Sequence, residues 1–178
     1  MHIPKIHFPR SNDVFLAFGM AIFLISAWEI RAFFYKIPSF LLYMNVGQIA
    51  AVFAYMMAFA FIESLLVLCL TFVPAIILPG SWFNNDFATK ASSAILVAAV
   101  SSVLYQNYLP STYPGTVTIS LWLFFTLLSM CLVVLLIHFV KPVAKGFAFF
   151  LEQLSIMVYI FAPIGIISIF VVLFRNLF

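Results

Sequence analysis

The sequence predicts an all-α fold, a polytopic bundle of five transmembrane helices, and three observations carry that expectation. The 178-residue chain is 66% hydrophobic and only 7% charged, with a mean hydropathy of +1.23, whereas soluble domains average about 45–50% apolar and about 25% charged. Five apolar segments approach or exceed the roughly 20 residues that carry a helix across a bilayer. The few charges gather mostly between those segments rather than inside them. A four-span arrangement, without the third and least apolar segment, is the alternative.

The spans are expected at 14–34, 48–73, 88–108, 116–140 and 154–174, together forming one integral membrane domain over 1–178. Ser11, Asn12 and Asp13 precede the first span and offer side-chain oxygens to its leading amides. Lys5 and Arg10 before an apolar stretch resemble the start of a secretory signal. The stretch is long enough to span, however, and YKIP follows it rather than a small-residue cleavage site, so an uncleaved first helix is expected. Pro74 and then Pro79-Gly80 are expected to end or kink the second span. Asp86 precedes the third, and Lys141-Pro142 closes the fourth.

Two segments have an amphipathic pattern. AWEIRAFFYKIPSFLLY, at 27–43, sets Glu29, Arg31 and Lys36 among aromatic residues and is expected to leave the first span and lie at the interface. In KPVAKGFAFFLEQ, at 141–153, Lys141, Lys145 and Glu152 fall on one helical face, with Phe147, Phe150 and Leu151 elsewhere. That pattern suits a membrane-surface helix, and its charged face offers a docking collar for a soluble cytoplasmic partner.

Orientation follows from Lys and Arg on short loops. With five spans, Lys5, Arg10, Lys90, Lys141 and Lys145 share the N-terminal side, against Arg31, Lys36 and Arg175 opposite. The expectation is a cytoplasmic N-terminus in a bacterial inner membrane. The uncharged, Tyr- and Pro-containing loop at 105–116 suits the outer interface. Scattered over loops in this way, a net charge of +3 sets topology and gives no nucleic-acid footprint.

Small residues recur every fourth position on two helices, at Ala50, Ala54 and Ala58 and at Ala94, Ala98 and Ser102. Such faces let helix backbones approach closely in lipid, and they are the expected contacts of a homo-oligomer.

Motifs for chemistry are sparse. The six glycines form neither GxGxxG nor GxxxxGK, and the chain has no HExxH or GxSxG, so phosphate-loop, zinc-protease and serine-hydrolase chemistry lack their signatures. Cys69 and Cys131 lack metal or redox spacing and are expected to be small buried thiols. His138, beside Lys141, reads as an interfacial residue, and no metal or cofactor is expected. The conspicuous residue is Glu63, mid-span in MAFAFIESLLVLCLTFVPAIILPG, where a carboxyl is costly and needs a partner or water. Ser129 lies at matching depth, as does the Tyr159 carbonyl, which Pro163 cannot bond. Glu63 is therefore expected to be a neutral carboxyl that donates a hydrogen bond between helices.

The function expected from these features is non-enzymatic: a membrane subunit that oligomerises and serves as scaffold, sensor or gate for a partner protein, of the kind found in bacterial stress or anti-phage systems. Two alternatives belong to other classes. One is a small oligomeric channel or transporter with Glu63 facing its pathway. The other is a lipid-modifying enzyme, for which only Glu29 and Arg31 offer close charges, and these two positions do not share a helical face.

Overall fold

The structure is a computed structural model that describes residues 9–77, 83, 86–108 and 115–177. All of its regular structure is helical: α1 (Ser11–Tyr43), α2 (Val46–Ile77), α3 (Phe87–Tyr108), α4 (Thr116–Phe139), α5 (Lys141–Leu154) and α6 (Ile156–Leu177). Every one except α5 is long and apolar enough to cross a membrane, giving five candidate spans. Among the described residues, exposed Leu, Ile, Val and Phe side chains cover much of the surface, as expected where lipid rather than water is the solvent.

The central element is α1, which packs against α2, α3, α5 and α6. Its N-terminal half buries Ala17, Met20 and Ala21, a spacing of three and four residues that keeps one stripe turned inward. Gly19 permits a close approach there: a Cβ would stand 3.2 Å from the Ser155 Cα at the α5–α6 junction. The α5 helix runs beneath this stripe, with Leu151 and Leu154 buried beside Met20 and Ala21 and partly buried Phe147 against the same cluster.

Three boundaries differ from the sequence expectation. First, 27–43 does not leave the span as a separate surface helix; α1 continues unbroken through Pro38 to Tyr43. The cause is α2, which returns antiparallel and sets Phe53 against the buried Phe33, ring centroids 5.1 Å apart. Second, α2 runs on through Pro74 to Ile77, a course tolerated in membrane helices where local adjustments re-satisfy the freed backbone group. Third, Arg10 occupies the cap position of α1, and no side chain bonds its leading amides. The expected stop at Pro79-Gly80 and residues 109–114 of the 105–116 loop lie outside the described residues.

The α1–α2 turn is fixed by a reciprocal cap. The Asn45 amide donates to Gln48 Oε1 and the Gln48 amide donates to Asn45 Oδ1, each at 2.9 Å. This N-x-x-Q pair satisfies two orphan donors at the start of α2.

The outermost span is α4, with only 6% of its most apolar window buried. It is keyed to α3 by a polar ladder. Thr126 Oγ1 donates to the Trp122 carbonyl at 2.8 Å, so Ser101 Oγ is the donor in the Ser101–Thr126 hydroxyl pair. The Trp122 indole N–H reaches the Ser101 carbonyl at 3.3 Å, and the Tyr105 ring lies 4.9 Å from that of Trp122.

Candidate functional site

Both α2 and α3 lie along α1, yet they scarcely touch each other. Near the N-terminal side the gap between them is closed. Leu68 and Ala75 of α2 meet Phe87 and Ala91 of α3 over Ala17, with Phe83 filling the end. The Phe72 and Phe87 rings stack at 5.7 Å with an 18° interplanar angle, and Phe83 meets Phe87 edge-on at 5.9 Å.

Beyond that aromatic closure the helices part around a cavity of about 780 Å³. Its floor is α1, through Leu24, Ala27, Trp28 and Glu29, and its walls are Glu63, Leu66, Val67 and Leu70 of α2 and Ile95, Ala98, Ala99, Ser102 and Gln106 of α3. Helical spacing explains each set. On α2, the stripe Ala54, Met57, Ala60 or Ser64, Leu68 is buried in packing, so the adjoining stripe 63, 66, 67, 70 is turned to the gap. On α3, residues 95, 98, 99, 102 and 106 form one face, and its small members leave the space open. A cavity of this volume lies within the range of drug-sized ligand pockets, roughly 300–1,000 Å³.

The cavity is largely apolar, with its charges at Glu29, Arg31 and Glu63. Glu63 is exposed to the cavity rather than sealed between helices. Glu29, from α1, lines the same cavity. Neither carboxyl has a hydrogen-bond or ion-pair partner among the described residues. The Arg31 guanidinium instead stands over the Trp28 ring, 5.1 Å from its centroid.

Several residues singled out in the sequence lie elsewhere. Ser129 donates to the Thr126 carbonyl at 2.9 Å, on a helix that packs chiefly against α3. Tyr159 is largely exposed, with its ring 5.8 Å from that of Phe15. Neither lines the cavity, so the expected Glu63–Ser129–Tyr159 linkage is not formed: α4 stands beyond α3, while α6 packs on another face of α2, where Phe61 meets Gly165. Ala54 and Ala58 are buried inside the chain itself, Ala50 borders a smaller groove between α2 and α6, and Ala98 and Ser102 face the cavity. Ala94 is half-buried. Ala54 and Ala58 thus serve packing within the chain, and Ala98 and Ser102 leave space in it. Cys69 and Cys131 are exposed, not buried. Lys141, Lys145 and Glu152 are all exposed on α5, opposite its buried Leu151 and Leu154.

Glu29 is the site residue that sequence reasoning missed. The signal was present: Asn45-x-x-Gln48 marks a tight helical hairpin, and Glu29 and Glu63 stand equally far from position 46 (46 − 29 = 17 and 63 − 46 = 17). Antiparallel helices folded there bring the two acids to one level.

No family model matches the chain, and neither a curated protein nor a solved structure matches it.

Proposed function

We propose that this membrane protein binds a small solute in the α1–α2–α3 cleft and carries it across the bilayer, with Glu63 on the path. One observation carries the reading: the mid-span carboxyl faces a ligand-sized cavity together with a second acid, instead of being locked between helices. A charged group at such depth persists where it serves a substrate or water pathway. The cleft is shut by aromatic rings toward the N-terminal side, as expected of one end-state of an alternating-access carrier. With the N-terminus in the cytoplasm of a bacterial cell, as the Lys and Arg distribution favours, the open side faces outward.

The test is a Glu63→Cys variant in a chain whose Cys69 and Cys131 are replaced by Ser, reconstituted in sealed vesicles. Maleimide chemistry requires a thiolate and hence water. A membrane-impermeant maleimide should label position 63 from the side opposite the N-terminus; no labelling from either side would overturn the reading.

A second reading is favoured by α5, whose exposed Lys141, Lys145 and Glu152 lie opposite a buried apolar edge. This face suits a soluble cytoplasmic partner, so that an assembly role as scaffold or gate accompanies the cleft. Lys141→Glu with Lys145→Glu should leave insertion intact and release any co-purifying partner.

A further inference from the structure

The geometry points to an amphipathic monocation as the occupant of this cleft: an apolar body of drug size bearing a single ammonium-type or phosphonium-type charge. The inference rests on the cleft being the solute site, and it adds the chemical class.

The charge of the cleft complements that of a cation. Glu29 and Glu63 face one cavity and have no ion-pair or hydrogen-bond partner among the described residues. Two carboxylates so placed in a low-dielectric setting are costly until a cation or proton joins them. The protein's own cations do not fill this role. Arg31 is held over Trp28, and Lys36 lies two turns along α1 from Glu29 and forms no ion pair with it.

Leu66, Val67, Leu70, Ile95 and Leu96 present hydrocarbon to the cavity. A bare metal ion would find too few oxygens there, and a strongly hydrated solute would lose its water without replacement. An apolar body carrying one delocalised or shielded charge loses little hydration, gains contact with the walls and, with Arg31 on the same lining, brings the three charged groups to neutrality. The small Ala98, Ala99 and Ser102 fill little of the space between α3 and α2 and leave room for such a body.

Tetraphenylphosphonium and tetraphenylborate have nearly the same size and shape and opposite charge, so together they separate charge from apolar burial. Equilibrium binding of each is measured to the full chain in nanodiscs, after subtracting binding to empty discs. The expected result is saturable phosphonium binding, weakened at least tenfold by Glu63→Gln and by Glu29→Gln, abolished by Ala98→Leu, and no saturable borate binding. Gel-filtration profile and melting midpoint verify that each variant is folded. Saturable borate binding as tight as that of the phosphonium, phosphonium binding unchanged in the Glu29→Gln/Glu63→Gln double variant, or the absence of saturable phosphonium binding overturns the inference. Glu-dependent phosphonium binding without uptake into proteoliposomes supports the cargo class while removing the transport reading. Ala98→Leu-sensitive uptake of the borate keeps transport and overturns the class.

Discussion

At the N-terminal end of the bundle α2 and α3 meet through Phe72, Phe83 and Phe87, whereas farther along the same two helices stand apart around Glu29 and Glu63. Both regions are apolar, so burial from water does not distinguish them. In lipid, helices associate through packing and polar contacts, because the tails are as apolar as leucine. Interlocking rings supply that packing at one end. At the other, Ala98 and Ala99 give α2 nothing to pack on, and closing the gap would strip the remaining solvation from the acids on α1 and α2. Small residues therefore have two meanings in this chain. Where a partner approaches, as Phe61 does at Gly165, they allow contact; where none does, they make space.

Breaking the closed end should have the largest effect. Phe87→Ala removes a fully buried ring; such truncations cost about 3–5 kcal/mol in aqueous cores. In lipid, where mainly packing is lost, about 2–3 kcal/mol is expected, read as a lower unfolding midpoint in detergent titration. A sharper contrast comes from adding carbon to two small residues. A Cβ at Gly165 would stand 2.6 Å from the Phe61 Cβ, so Gly165→Ala should destabilise by about 1–3 kcal/mol. Ala98→Leu adds more atoms but enters open cavity, and its midpoint should stay within about 0.5 kcal/mol of the parent. Equal losses in both would mean that the cleft is packed tightly and not open. The smallest effect belongs to the Tyr55 hydroxyl, which donates to Asn176 Oδ1 at 2.7 Å in an exposed setting. Tyr55→Phe should cost about 0.5 kcal/mol and leave both ends unchanged.

The fold was legible where it depends on local pattern. Residues 88–108 were expected and Phe87–Tyr108 is found, because Asp86 and the loop bracket an apolar run. The amphipathic α5 likewise followed from the spacing of its charges. The amphipathic pattern of 27–43 suits a surface helix and a continued span equally well, and only pairing with α2 decides between the two. The site was half legible. Glu63 stood out by its chemistry, while Glu29 looked like part of an interfacial stretch until the hairpin register set it opposite. Ser129 and Tyr159 matched Glu63 in depth, but depth does not fix azimuth, and the packing order of the helices turned both away.

At about 1.5 Å per residue, the 33 and 32 residues of α1 and α2 reach about 50 Å, against a hydrocarbon core of about 30 Å. The hairpin tip cannot simply stand in water, since Leu41, Leu42 and Val46 are exposed there. Hydrophobic mismatch of this kind is relieved by tilting or by local thickening of the bilayer. The shorter α3, at about 33 Å, needs little of either. Membrane thickness thereby becomes a mechanical variable: as it changes, the tilt of the long hairpin against the shorter α3 changes, and with it the cleft between them. Phosphonium affinity measured across lipids of increasing acyl length should change steadily with thickness; a flat response would show that hairpin and third span tilt as one body.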